Sequence, residues 1–178
     1  MRSSAGTRIR AGNAMDRTRL ALLDGARHAV AQSGTKITMG QVAESAGVAK
    51  ATLYNHFRTK SSVLHALLLD EVGRVIEACT GRSLPDALQR AAESIATNPL
   101  LRTLAELEPA TVAQLARIGP DAPAWRRVRD AVDDVLTVDE RGGGEFVVRW
   151  LASYLVSPAP AEQIAADRDV LVTGLPAR

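Results

Sequence analysis

Residues Thr38 to Phe57 read TMGQVAESAGVAKATLYNHF, and on this stretch the reading of the whole chain turns. Thr38 stands where a helix N-cap belongs, its hydroxyl able to accept an orphan backbone N–H. Val42, Ala43 and Ala46 then fall on one side of a short helix over 39–46, Gly47 breaks it, and a second short helix runs from about Ala49 through Leu53 to His56 or Phe57. Two short amphipathic helices about a glycine turn are the plan of a helix-turn-helix. Ala43 is small where the two helices must cross, Gly47 supplies positive φ without a Cβ penalty, and Val42, Val48 and Leu53 fill the gap beneath.

So short a pair does not hold itself together, and it needs a floor. Upstream, the spacing Leu20, Leu23, Ala26, Val30 marks an amphipathic helix from about Asp16 to Ser33, with Gly34 as its left-handed cap. Downstream, Lys60 opens a long helix carrying Leu64, Leu67, Leu68, Val72, Val75, Ile76 and Cys79, ending before Gly81. Residues 1–15, which mix Arg, Gly and Ser without periodicity, are expected to be a disordered basic arm.

The remaining sequence predicts helices over 84–98, 101–118 and 124–138, interrupted by prolines at 85, 99, 109, 120 and 123. After the flexible Gly142-Gly143-Gly144 come helices over 145–156 and 161–173. Aromatic residues make up only 3% of the chain and few stretches alternate apolar with polar, so the fold class is all-α. At 178 residues there is room for a module of about 50 residues and a domain of about 120. The expected division is the arm at 1–15, a helix-turn-helix domain at 16–60 and a helical domain at 61–178.

Charge supports that division. Residues 1–60 carry ten Lys or Arg against three acids, +7, while residues 61–178 carry twelve against seventeen, −5. A basic end on an acidic body points one end at a polyanion, and nucleic acid is the commonest one. Lys50, Thr52, Tyr54, Asn55 and His56 lie on the outward side of the second short helix and Lys60 at its flank. Lys50 suits phosphate or guanine acceptors, Thr52 a base edge or a thymine methyl, and Tyr54 and His56 can donate to phosphates.

Over residues 38–64, TMGQVAESAGVAKATLYNHFRTKSSVL, the chain resembles the DNA-binding signature of the tetracycline-repressor (TetR) family, above all in Val42-Ala43, Ala46-Gly47-Val48, Thr52 to Phe57 and Lys60. The resemblance spans roughly residues 16–70. It implies that Tyr54, His56 and Lys60 contact phosphates, that Lys50 and Thr52 belong to a recognition helix, that Thr38 is a phosphate-binding N-cap and that Phe57 is core. Ala49 departs from the Ser or Thr that caps this helix in many members, a loss of about 1 kcal/mol. For the rest of the chain the resemblance implies an effector-binding and dimerisation domain.

Two sets of residues follow from that implication. Phe146, Val147, Trp150, Leu151, Tyr154, Ile164 and Leu171 on the last two helices are either intramolecular core or one half of a four-helix dimer bundle, and the dimer is the expected reading. Leu101, Leu104, Thr111, Leu115, Trp125 and Val128 are either ordinary core or the lining of a pocket for an apolar small molecule. The expected activity is repression from a near-palindromic double-stranded operator, relieved by a small ligand. The alternative is a ligand-independent regulator, or an activator working through a protein partner.

Other classes find no support. The sequence has no G-x-S-x-G, P-loop, H-E-x-x-H or dinucleotide fingerprint, and Cys79 sits in an apolar stripe without a neighbouring base. His56 has no partner at metal-ligand spacing, the only other histidines being His28 and His65. Neither enzyme, metal nor cofactor is expected. A single cysteine and the absence of an 18-residue apolar run or a signal-like start fit a soluble, cytoplasmic protein.

Overall fold

A computed structural model describes residues 5–117, 119 and 122–177, with side-chain environments given from residue 15 onward. Among the described residues it holds ten α-helices, a short 3-10 turn at Gly34–Lys36 and one isolated bridge, between Arg141 and Ala177. The fold class is all-α, and the chain separates into two compact units, Met1–Leu67 and Leu68–Arg178.

The first unit contains α1 (Ala5–Ser33), α2 (Met39–Ser45), α3 (Lys50–His56) and the opening turns of α4 (Lys60–Cys79). α1 starts well ahead of Asp16, so the expected arm is helical over 5–15, while residues 1–4 lie outside the described residues. Ala, Arg and Met are strong helix formers and extend the helix N-terminally despite Gly6 and Gly12. The buried stripe of α1 is Leu22, Leu23, Ala26, Ala29 and Val30, and Leu20 is half exposed rather than core. A stripe at i, i+4, i+7 from Leu22 covers one face, and Leu20 lies off it.

Gly34 has φ 61° and ends α1 as a left-handed cap. α1 and α2 pack at Gly25, where an added Cβ would stand 2.6 Å from both the Cβ and the backbone N of Ala46. Ile37, Val42, Leu53, Phe57 and Val63 complete a core that draws on every helix of the unit.

In the second unit α4 continues to Cys79 and is followed by α5 (Leu84–Ala96), α6 (Pro99–Leu107), α7 (Pro109–Leu115), α8 (Pro123–Val138), α9 (Gly144–Val156) and α10 (Ala161–Gly174). The single helix expected over 101–118 is two, because Pro109 cannot continue the ladder of α6. Ile118 and Pro120 lie outside the described residues. Asn98 caps α6 by accepting from Leu100 N and Leu101 N, and its amide donates to Glu71 of α4 at 2.9 Å.

The core of this unit forms where α5 packs on α9 and α10: Leu88, Ala92, Val147, Leu151, Ile164 and Leu171 are all buried there. The glycine run expected to be flexible is tied down. Gly143 takes φ 87° to start α9, and Gly142 N donates to Pro176 O at 2.8 Å.

Candidate DNA-binding site

The two short helices are joined by a turn that the sequence dictates atom by atom. Gly47 has φ 65°; its N–H donates to Glu44 O and the Val48 N–H to Ala43 O, both at 3.0 Å. This pair of bonds is the Schellman closure, which needs a left-handed residue after the cap and so favours glycine. Thr38 starts α2 with a full capping box: Thr38 Oγ1 accepts from Gln41 N at 3.2 Å while Thr38 N donates to Gln41 Oε1 at 2.8 Å. The hydroxyl of Thr38 also donates to Gln41 Oε1 at 3.0 Å, so both of its hydrogen-bonding functions are engaged within the turn. α3 begins at Ala49, which offers no side-chain cap.

Leu53 is fully buried and fixes the inner face of α3. At 100° per residue, Ala51 and Asn55 then stand at the crest opposite it, Lys50 and Tyr54 on one flank, and Thr52 and His56 on the other. Burial agrees with that placement. Lys50, Ala51, Tyr54 and Asn55 are exposed, whereas Thr52 and His56 are half buried against the unit. Tyr54 is 50% exposed, which leaves a large part of its amphipathic ring at the surface. Phe57 closes the core as expected, with the Arg19 guanidinium 4.9 Å above its ring.

Lys60, at the head of α4, turns back and donates from Nζ to Thr35 O at 2.9 Å. The structure thus gathers Lys50, Tyr54 and Asn55 on the outward surface of α3, places Thr38 at the start of α2, and gives Lys60 a backbone partner. Residues 61–67 carry no Lys, Arg, Asp or Glu, so the first unit has the same formal +7 as residues 1–60 and the second the same −5. Two residues of this region that sequence reasoning passed over are Gly25 and Gly40. Both are glycines inside helices, and that costly placement was the available signal.

The remaining candidates lie in the second unit. Of the pocket set, Leu104 is buried, and Leu101, Thr111, Leu115, Trp125 and Val128 are half buried. Leu115 and Trp125 meet directly, the indole N–H donating to Leu115 O at 2.9 Å, so this polar group is already engaged. Thr111 Oγ1 donates to Glu108 Oε2 at 3.1 Å.

The dimer set divides by burial within one chain. Val147, Leu151, Tyr154, Ile164 and Leu171 are all at most 5% exposed within one chain, because α5 covers this face of α9 and α10. They are intramolecular core. Phe146 alone of the set is well exposed, at 66%, and Trp150 is half buried, its ring edge-on to Tyr154 with centroids 5.2 Å apart.

Tyr154 donates to Asp167 Oδ2 at 3.1 Å, and burial, reinforced by that carboxylate, pushes its phenol up to about 12. Burial likewise raises the Cys79 thiol, against the opposing charges of Arg82 and Arg90, which leaves it a poor nucleophile. No group of three or more His, Cys, Asp or Glu able to hold a metal occurs among the described residues, and no described helix is long and apolar enough to cross a membrane.

Residues 22–67 match the family model of bacterial regulatory proteins of the tetR family. Solved structures share the fold over nearly their whole length. The fatty acid degradation regulator FadR from Bacillus halodurans superposes with a TM-score of 0.63 at 17% identity, over 90% of this chain and 97% of its own. The TetR family repressor AlkX from Dietzia sp. strain DQ12-45-1b gives 0.60 at 18%, over 87% and 93%. A TetR family transcription regulator from Marinobacter aquaeolei VT8 gives 0.53 at 20%, over 92% and 97%. Regulators of this family are non-enzymatic DNA-binding proteins. Residues 22–67 thus carry the helix-turn-helix segment of the tetR family of bacterial regulatory proteins, and the chain as a whole has the fold of these DNA-binding transcription regulators.

Proposed function

We propose that the chain is a repressor that binds a near-palindromic operator as a homodimer and leaves it when a small, largely apolar ligand binds. In this reading residues 16–60 are the DNA-binding domain and residues 61–178 the effector-binding and dimerisation domain. The observation that carries it is the outward surface of α3: Lys50, Tyr54 and Asn55 are exposed there on a unit of net charge +7. Lys50, Thr52 and Asn55 read bases, and Thr38, Tyr54, His56 and Lys60 hold phosphates.

Dimerisation is supported by the apolar side chains that α9 and α10 leave outside the core of the second unit, among exposed polar ones such as Glu145 and Arg149. With Val147 and Leu151 turned into the core, Phe146 and Val156 remain exposed on α9 and Val170 on α10. Large apolar side chains grouped on an exposed face mark a surface that a partner can cover. A two-fold pairing through this outer face sets two recognition helices about 34 Å apart or a little more, the repeat of successive major grooves.

A ligand reading is supported by the half-buried state of Leu101, Thr111, Leu115, Trp125 and Val128 on helices that border one another. It also fits the company the fold keeps: AlkX is implicated in biodegradation of n-alkanes and FadR regulates fatty acid degradation. A ligand preferring a body conformation with the heads at the wrong spacing lowers DNA affinity by that preference.

The test is fluorescence anisotropy of the full chain on DNA from its own upstream intergenic region, across a salt series and then with a panel of fatty acids and alkanes. Specific binding with a steep salt slope, relieved by a panel member, supports the whole reading. Specific binding that no apolar ligand relieves leaves a regulator acting without one, and no binding at low salt defeats the DNA assignment.

A further inference from the structure

Gly40 lies in the first turn of α2 in ordinary right-handed helix, so its backbone conformation does not call for glycine. Glycine is the poorest helix former after proline, and this helix has only seven residues. What glycine does provide at this position is space. A Cβ at position 40 would stand 3.2 Å from Lys50 Cε, 3.4 Å from Lys50 Nζ and 3.6 Å from Thr38 Oγ1. Those are its three nearest neighbours, and two of them are the far end of one lysine. Lys50, the first residue of α3, lays its side chain back across the start of α2 instead of extending freely. The two residues line one open cleft together with Thr38, Gln41 and Glu44.

A free lysine head is a flexible, well-hydrated point charge that suits phosphate and discriminates poorly among bases. One that lies along a neighbouring helix, beside a threonine held in a capping box, has fewer places from which to present its donors. The first residues of a recognition helix are those that reach base edges in the major groove. There the acceptors with which lysine pairs are O6 and N7 of guanine.

We infer that Gly40 is a specificity-positioning residue: by leaving α2 bare at this point it seats the Lys50 ammonium for contact with one guanine in each half-site. This rests on the DNA-reading role proposed above for α3. An alanine at 40 crowds the seat, with its Cβ 3.2 Å from Lys50 Cε, and moves the lysine head off the position from which it meets the base.

The experiment selects preferred sequences with the full-length wild type. It then measures affinities for every single-pair variant of the selected site with wild type, Gly40→Ala, Lys50→Ala and the double variant, and reads the thermal midpoint of each protein. The expected result is a guanine preference of about tenfold at one pair per half-site, lost in Lys50→Ala, lost at the same pair in Gly40→Ala, and no weaker in the double variant than in the singles. Gly40→Ala is expected to melt at or above wild type, since alanine favours the helix, so the lost preference does not reflect unfolding.

Three results overturn the inference while leaving DNA binding intact. Gly40→Ala keeps the guanine preference; the two substitutions act at different pairs or add; or both weaken every sequence alike with a shallower salt slope, which assigns Lys50 to a phosphate. A wild type that binds no DNA fails earlier and defeats the reading of α3 itself.

Discussion

The ammonium of Lys60 donates to the carbonyl oxygen of Thr35 across 25 positions, fastening the first residue of α4 to the turn that follows α1. A cation on the first residue of a helix opposes the helix dipole by about 0.3–1 kcal/mol. An exposed hydrogen bond to a backbone carbonyl returns about as much. The two nearly cancel.

Lys60→Ala is therefore expected to leave the thermal midpoint within about 3 °C of wild type. Its effect falls on DNA instead, as a weaker affinity on all sequences and a salt slope shallower by about one unit. Differential scanning calorimetry and salt-dependent anisotropy separate the two, and a large fall in midpoint with unchanged affinity would contradict the assignment to phosphate.

Gly25→Ala is expected to destabilise the first unit by about 1–3 kcal/mol. The new Cβ would lie 2.6 Å from the backbone N of Ala46 and 2.7 Å from its Cα, so backbone rather than a yielding side chain is in the way. Shortening Ala46 to glycine removes only one of the three close atoms, so Gly25→Ala combined with Ala46→Gly should recover part of the loss. Urea denaturation followed by far-UV circular dichroism measures both.

Ala49→Ser supplies the cap that α3 lacks. Its hydroxyl can accept one of the orphan N–H groups of the first turn, a gain of about 0.5–1 kcal/mol. The variant should denature at higher urea with an unchanged slope, and Ala49→Val should show no such gain.

Tyr154 makes alkaline stability sensitive to one hydrogen bond. Its phenol is raised from 10 to about 12 in the folded chain, first by burial and then by the Asp167 carboxylate. A group with a raised folded value contributes stability in full below its unfolded value, here about 10. That contribution is lost as pH rises from 10 through about 12. Tyr154→Phe should lose about 1 kcal/mol at neutral pH and show a flatter decline above pH 10. An unchanged alkaline profile would remove Tyr154 from the account.

Local chemistry made the first unit readable. A capping threonine, a glycine at the turn and a buried Leu53 each act within a few residues, and Thr38, Gly47 and the bounds of α2 and α3 follow from them directly. Leu20 misled because two apolar stripes of similar spacing compete on α1, and only packing against α2 selects Leu22. In the second unit the apolar residues of α9 and α10 were visible, but not which partner covers them. Val147 and Ile164 read alike as core and as interface until α5 is seen to lie over them. Gly40 was passed over because its meaning depends on a lysine ten positions later in another helix.

Both tryptophans of the chain, Trp125 and Trp150, belong to the second unit, and the first unit has Tyr54 as its only tyrosine. Intrinsic emission excited at the red edge is therefore a private channel to the body. Trp125, bonded to the Leu115 carbonyl at the end of α7, is the more informative of the two lamps, since anything that parts α7 from α8 changes the partner of its indole. A spectral shift on adding operator DNA would then be the body answering an event in the head, with no label attached to either.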